Sequence, residues 1–237
     1  MSNRVWCWLL GRGIVHEPDD FRSTNPPSNP ELLDYLAGEF IESGFDMKHL
    51  FRLVLNSRAY QLSSRTNEFN QHDAVHFSHY PVRRLSAEQL LSSISQATGA
   101  AEKFSGLPSG TRAWQLPDNA VRSEFLDLFG RPRRTTAIEG ERSNELHIGQ
   151  SLHLISSEHI ENKIAASTGR VARLSAGDKS DEEILTELYL AALSRPPTDA
   201  EMKTLLGDKP LGGKERRARF EDVLWALLNT KEFLFNH

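Results

Sequence analysis

Residues 180–201 read SDEEILTELYLAALSRPPTDAE and contain two helix starts and one helix end. Ser180 and Thr198 are each followed three residues later by a glutamate. In this arrangement the hydroxyl accepts from the third helical N–H, while the carboxylate reaches back to the N–H of the capping residue. Apolar side chains recur at helical spacing after Ser180, and Pro196-Pro197 ends the segment. The stretch therefore predicts two consecutive helices.

The same signals recur along the rest of the chain. Caps of the same type begin at Ser28 and Ser86, and helical apolar spacing covers residues 32–40, 47–55 and 220–228. Strand-type alternation is nearly absent, and glycine and proline mark the breaks between the periodic segments. We therefore predict an all-α fold: a multi-helix globular domain with long irregular loops.

The length of 237 residues suits one large domain or two small ones, at roughly 100–200 residues per domain. No Gly- or Pro-containing break is long enough to be a clear interdomain linker, and there is no internal repeat. We predict a single domain over residues 1–237. A weaker boundary falls at residues 99–119, which contain several glycines and prolines.

Composition excludes several classes of protein. A formal net charge of −4 argues against a general nucleic-acid binder, which normally has a basic face. No apolar run approaches the roughly 20 residues that span a bilayer, so we expect a soluble chain. The first residues, MSNRVWCWLLGRG, lack a small-residue cleavage site and are interpreted as the start of a helix rather than a signal peptide. Cys7 is the one cysteine, which excludes an intramolecular disulfide.

Several ordered blocks carry a family resemblance. They are residues 3–64, then YPVRRLSAEQL at 80–90, LYLAALSRPPTDAE at 188–201 and WALLNTKEFLFNH at 225–237. Together they resemble the planctomycete-specific domain of unknown function, PSD-one, which follows cytochrome-c-like modules in large exported proteins. The resemblance implies an all-helical domain without an assigned reaction and an exported or periplasmic location. It also implies other domains of the parent assembly as partners, including a cytochrome-c-like module.

Two departures limit what the resemblance implies. The chain has no C-x-x-C-H haem-attachment motif, so we expect no covalent haem and no cofactor in this chain. The family commonly has a Cys-x-Cys pair before Glu-Arg, where this chain has Ile138 and Gly140. A thiol role at that position is therefore absent, and no catalytic residue is transferred from the family.

The first candidate site is the loop HEPDDF at residues 16–21, which contains Asp19 and Asp20. Adjacent carboxylates in a rigid loop could bind a hard cation, or one could stay protonated as an acid if buried. In the alternative interpretation they accept backbone N–H bonds in a turn and pair with a nearby arginine.

The second candidate site combines charged and amide groups in a loop that enters a helix near Asn144. Its candidate ligand-binding residues are Arg83, Arg84, Glu139, Glu141, Arg142 and Asn144. The first N–H groups of a helix lack partners, so such a loop can bind an anion or a polar ligand. In the alternative interpretation the acidic groups form an ion-pair network that fixes the loop against the Arg83-Arg84 segment.

Histidines give weak signals for a metal site. A first set would share one helical face and could bind zinc or copper: His72, His76 and His79. The segment reads as an irregular loop, so we interpret them as solvated histidines and predict no metal site. In a second set, residues six apart on one helix would point in different directions: His147, His153 and His159.

Aromatic residues allow two interpretations. They could line a sugar-binding or hydrophobic pocket, but their places beside leucine and valine on helical faces favour the core. The residues in question are Trp6, Trp8, Phe21, Phe40, Phe45, Trp114, Trp225 and Phe233.

No specific catalytic motif is present: there is no nucleophile elbow, P-loop, dinucleotide fingerprint or H-E-x-x-H. Ser-His-Asp chemistry stays open, because its members need not be close in sequence. Our first hypothesis is a helical module that docks on partner domains or binds a ligand such as a polysaccharide. The alternative is a carbohydrate- or ester-cleaving hydrolase that uses loop carboxylates, which for glycosides lie roughly 5–10 Å apart. A third is an electron-transfer partner of a cytochrome module.

Overall fold

The computed structural model describes residues 1–133, 147–207 and 212–236. The described chain is mostly helical, and its strands form one two-stranded sheet, which confirms the all-α prediction. Its residues group into two compact units, the first being Met1–Arg83 and the second the described residues from 84 to 236. The single domain over 1–237 stays a prediction.

The first unit contains three helices: α1 (Ser2–Leu10), α2 (Pro30–Glu42) and α3 (Met47–Leu55). Helix α2 begins with Pro30 at its first turn, and the Asn29 side chain accepts from the Leu32 N–H at 3.0 Å. The predicted cap at Ser28 is therefore wrong by one residue, because the Ser28 hydroxyl donates to the Ile14 carbonyl instead. Asp46 caps α3 by accepting from the Lys48 N–H at 2.8 Å.

The core of the first unit lies where these three helices meet and continues under the loops. Its buried residues are Val5, Trp6, Leu10, Ile14, Leu36, Leu50, Val54 and Tyr80. Between α1 and α2, the loop is fixed by the buried side chain of Asn3, which donates to the Val15 carbonyl at 3.1 Å and to the Pro18 carbonyl at 3.3 Å. The described part of residues 56–82 has no helix or strand.

The second unit begins near strand β1 (Arg83–Arg84), which pairs with β2 (Phe235–Asn236). Its helices, in chain order, are α4 (Ala87–Thr98), α5 (Glu124–Leu128), α6 (Ile148–Ser156), α7 (Glu158–Ile164), α8 (Arg170–Ser175), α9 (Asp181–Leu193), α10 (Asp199–Leu206), α11 (Gly213–Leu228) and α12 (Lys231–Leu234). No helix among the described residues is both long enough and apolar enough to cross a bilayer.

Three predicted capping boxes of this unit are confirmed. Ser86 opens α4, Ser180 opens α9 and Thr198 opens α10, each with the reciprocal hydrogen bonds in place. In the Ser180 box, the Glu183 carboxylate accepts from the Ser180 N–H at 2.8 Å, and the Ser180 hydroxyl accepts from the Glu183 N–H at 3.2 Å. Helices α9 and α11 bury Ile184, Leu188 and Leu224 in one large core. Helix α4 packs against α9 and contributes to the same core.

Residues 99–119, where the sequence suggests a weak boundary, lie inside the second unit. They form an irregular loop with a single 3₁₀ turn, Ala113–Gln115. Phe104, Ala113 and Leu116 are buried in the core of the unit. These anchors hold the long loop against α4.

Candidate functional site

In the first candidate site, Asp19 and Asp20 each form an ion pair with an arginine. Asp19 Oδ1 lies 2.6 Å from Arg4 Nε, and Asp20 receives two bonds from Arg22, at 2.7 Å from Nε and 2.6 Å from Nη2. The hydrogen bond from the Arg22 side chain lowers the pKa of Asp20 against the opposing effect of burial. The Arg22 backbone N–H also points at Asp20 Oδ1, at 3.3 Å. Both carboxylates therefore serve local pairing, and ligand binding by them stays a prediction.

The side chains of Arg83 and Arg84 donate hydrogen bonds to nearby carbonyl oxygens. Arg83 donates to the carbonyls of Trp8 and Leu9 at the end of α1. Arg84 donates to Gln150 Oε1 and to the Phe129 carbonyl, and its guanidinium lies 5.6 Å from the centre of the Phe129 ring. Burial lowers the pKa of Arg84.

The remaining residues of the second candidate site lie outside the described residues: Glu139, Glu141, Arg142 and Asn144. Neither the anion-binding loop nor its ion-pair alternative is therefore tested, and both stay predictions.

The segment around His72 and His76 has no helix, as the sequence indicates. Its turn is organised by Asp73, whose carboxylate accepts from the backbone N–H groups of Val75, His76 and Ser78 at 2.7–2.9 Å. A hydrogen bond from the Ser78 side chain contributes most to lowering the pKa of Asp73, and these backbone bonds lower it further. Within the described ranges, no group of three or more metal-ligating side chains could hold an ion.

His153 and His159 lie close together, against expectation. The prediction placed them on one helix pointing apart, but α6 ends at Ser156 and α7 begins at Glu158, with Ser157 extended between them. The two ring centres are 6.0 Å apart, and both rings pack edge-on to Phe125. The break at Ser157 redirects the chain, which the spacing of six residues does not reveal.

The core interpretation of the aromatic residues is wrong for half of them. Trp6 and Phe233 are buried. Four others are substantially exposed: Trp8 at 37%, Phe21 at 61%, Phe45 at 65% and Trp114 at 50%. Trp8 stacks on Phe51 and Phe45 packs edge-on to Phe40, whereas Trp114 lines a cavity of the second unit.

Two adjoining cavities of the second unit share Gly99, Ala101 and Glu102, and we call them together the 99–114 groove. One, of about 470 Å³, lies between α4 and the loop from 110 to 114. The other, of about 570 Å³, lies between residues 99–109 and α7. Ligand sites in proteins typically occupy about 300–1,000 Å³. Each cavity of the groove therefore has the size of a ligand site.

The rim of the groove presents the Trp114 ring. The 3₁₀ turn fixes it: the Arg112 N–H donates to Gln115 Oε1 at 2.8 Å, and the neighbouring Ala113 is buried. The Arg112 guanidinium lies 5.0 Å from the centre of the Trp114 indole. A guanidinium over an aromatic ring is attractive because of the negative face of the ring. The indole is therefore held in place while half of its surface stays open.

The floor of the groove is a buried charge network around Lys163. Its Nζ lies 3.1 Å from Ser95 Oγ, 2.9 Å from the Ala100 carbonyl and 3.1 Å from Glu102 Oε2. His159 Nε2 lies 2.9 Å from the same Glu102 oxygen. Burial alone would raise the pKa of Glu102, but the His159 hydrogen bond and the Lys163 charge outweigh it and lower that pKa to about 2. Burial in turn lowers the pKa of Lys163, against the opposing charge of Glu102.

The groove was missed at the level of sequence because its walls come from separate segments. Residues 91–96 of α4, the loop of 99–114 and residues 159–168 meet only in the fold. The available signal was the pair Arg112 and Trp114 in a Gly- and Pro-containing loop. An aromatic ring outside any helical apolar face is a candidate for exposure, and that criterion separates Trp114 from Trp6.

Fold and groove together define an all-helical domain with an open, ligand-sized site in its second unit. The chain matches the family described as PSD1, protein of unknown function (DUF1553), over residues 1–207, and it belongs to that family. Neither the curated proteins nor the solved structures contain a match to the chain. The family resemblance stated from the sequence blocks is thereby confirmed.

Proposed function

We propose that this chain is a ligand-binding module that holds a polysaccharide in the 99–114 groove. The half-exposed Trp114 ring at the rim supports the proposal. One face of a pyranose ring presents C–H groups, and these pack on the apolar, electron-rich face of an indole. A rigidly held, open tryptophan beside a groove is the surface that such packing requires.

The rest of the groove suits a hydroxyl-rich chain. Gln96 and Asn162 place exposed side-chain amides in its two cavities, and Thr111 contributes a hydroxyl group to the first. Such sites combine apolar contact with a few placed polar groups. Two cavities that share residues accommodate successive sugar units, which favours a polymer over a single sugar.

A binding role fits the groove better than hydrolysis. Glycoside cleavage needs two carboxyl groups flanking the bond. Among the described residues that line the groove, Glu102 is the one carboxylate, and Lys163 and His159 hold it. The hydrolase alternative gains no support from this geometry.

We also propose a cellular location and partner domains for this module. The sequence blocks resemble domains that follow cytochrome-c-like modules in exported proteins, which supports an exported or periplasmic location and partner domains in the same assembly. In that setting the module would attach the assembly to an extracellular polymer. Salt-dependent association of this chain with an isolated cytochrome-c-like module of the same parent protein tests the partner component.

Affinity electrophoresis of the chain through gels that contain neutral or charged polysaccharides tests the binding. We expect at least one polymer to retard the chain, and Trp114→Ala to weaken that binding about tenfold, the loss expected for one aromatic contact. Trp8→Ala is the matched control, because Trp8 is an exposed indole of the first unit. Absence of retardation by every polymer would overturn the proposal, as would equal retardation of wild type and Trp114→Ala.

A further inference from the structure

We infer that the polysaccharide of the 99–114 groove is anionic, with sulfate or carboxylate groups that contact Lys103, Arg112 and Arg173. The inference rests on the proposed function and adds the chemical class of the ligand. Among its described lining residues, Lys103, Arg112 and Lys163 are cationic, and Glu102 is the one acid.

The floor contributes no net charge to a ligand. Lys163 and Glu102 pair with each other, and the Lys163 ammonium also donates to Ser95 and Ala100. Its three donors are thus in use. The charge that remains for a ligand comes from the rim.

Arg173 is a third cation, which lines neither cavity itself but lies next to Gly99, a residue shared by both cavities. Gly99 has φ +68°, and a Cβ there would lie 3.0 Å from Arg173 Nη2. The guanidinium therefore lies directly against the groove wall. Any larger residue at position 99 would press on it, and the left-handed backbone also favours glycine.

These three cations lack carboxylate partners in the part of the chain that the structure describes. Lys103, Arg112 and Arg173 are exposed, and none forms an ion pair within it. Several other arginines of the second unit pair with carboxylates, such as Arg216 with Asp181 at 2.6 Å. Unpaired cations around a neutral floor leave a positive rim.

This local sign opposes that of the whole chain, which has a net charge of −4 and a pI near 6.1. The positive rim therefore does not follow from overall composition. Guanidinium groups bind sulfate and carboxylate oxygens through paired N–H donors. An anionic polysaccharide matches both the cations and the packing of a pyranose ring on Trp114. Single-stranded RNA would also stack on Trp114, and its binding is an outcome of the test.

Matched polymers test the inference on the full chain. Dextran is compared with dextran sulfate of equal length, and methyl-esterified polygalacturonate with polygalacturonate. We expect each charged polymer to bind about tenfold more tightly than its neutral counterpart at low salt, and the difference to shrink as salt screens the contacts. The charged polymer that binds more tightly, dextran sulfate or polygalacturonate, shows whether the groove recognises sulfate or carboxylate groups.

The variant that carries the test is Lys103→Gln, Arg112→Gln and Arg173→Gln combined. It should lose the preference for charge and flatten the salt dependence. Because Arg112 also lies over the Trp114 ring, the double variant Lys103→Gln with Arg173→Gln is measured beside it, and this double variant should keep full binding of the neutral polymer. The control combines Arg52→Gln, Arg58→Gln and Arg65→Gln, three exposed arginines of the first unit. It changes the net charge equally and should keep the preference.

Four outcomes would contradict the inference. Equal binding of neutral and charged polymers overturns it and leaves the proposed function standing. Equal loss in both triple variants shows that overall charge is responsible. Tighter binding of single-stranded RNA of equal charge than of either polysaccharide assigns the groove to nucleic acid. Failure of all polymers to bind removes the proposed function together with the inference.

Discussion

Asn3 and Val15 exchange two hydrogen bonds: the Val15 N–H donates to Asn3 Oδ1 at 3.0 Å, and Asn3 Nδ2 donates to the Val15 carbonyl at 3.1 Å. Both residues are buried. The side-chain amide thus pairs with the backbone as a neighbouring strand would. This pairing closes the loop after α1 without any regular secondary structure.

Asn3→Ala should lower the free energy of unfolding by about 3 kcal/mol, because it leaves the buried N–H and carbonyl of Val15 without partners. Chemical denaturation measures the change. Asn162→Ala, an exposed asparagine of α7, should stay within about 0.5 kcal/mol of wild type. A similar small effect for Asn3→Ala would show that water replaces the lost bonds.

Lys163→Met should destabilise the chain by about 3 kcal/mol, because it leaves Glu102 in its partly buried place without its ammonium partner. Methionine is unbranched like lysine and only one atom shorter. Lys179→Met removes an exposed pair, with Glu187 at 2.7 Å, and should cost less than about 1 kcal/mol. Equal urea midpoints for the two variants would contradict a structural role for the groove floor.

The stability contributed by Glu102 should depend on pH in a defined window. Its folded pKa of about 2 lies below the ordinary value of 4.5, so the contribution is fully present above pH 4.5 and is lost as the pH falls through 2. Between wild type and Glu102→Gln, the difference in unfolding free energy should shrink over this range by on the order of 3 kcal/mol. Glu68→Gln, at an exposed position, should follow wild type. A difference independent of pH would show that Glu102 is not held charged.

Arg195 joins Glu201 at the start of α10 to Glu232 in α12, with four bonds of 2.6–3.0 Å. The hydrogen bonds that Arg195 donates to these two carboxylates, of which those to Glu232 contribute most, raise the pKa of Arg195. Arg195→Lys should reduce stability by about 1 kcal/mol, because an ammonium cannot bind both carboxylates in the paired geometry and solvent screens this partly exposed site. Thermal unfolding measures the effect. Arg22→Lys, at an exposed pair, is the control, and an equal change in both would contradict a special role for Arg195.

Local signals predicted the helices because a cap involves only neighbouring residues. Ser86, Ser180 and Thr198 open helices as the sequence indicates. The helix start predicted at Ser28 is wrong by one residue, because the Ser28 hydroxyl donates to the Ile14 carbonyl, which is distant in sequence. Whether a candidate cap is used depends on such tertiary competition, which the local pattern does not contain.

The groove could not be predicted, because it depends on which segments meet. Trp114 is in a loop whose neighbours Ala113 and Leu116 are buried, so its exposure follows from the direction of one short turn. Glu102 and Lys163 are far apart in sequence and pair only after α7 packs near the loop. Asp19 and Asp20, which the sequence marks as adjacent acids, meet arginines instead.

The locked position of Lys163 has a kinetic consequence. All three of its acceptors belong to the chain itself, so the fold alone forms the floor of the groove. Encounter with a preformed surface proceeds at a rate set by diffusion and by long-range attraction. Polymers that differ in affinity for this groove should therefore differ mainly in how long they remain bound.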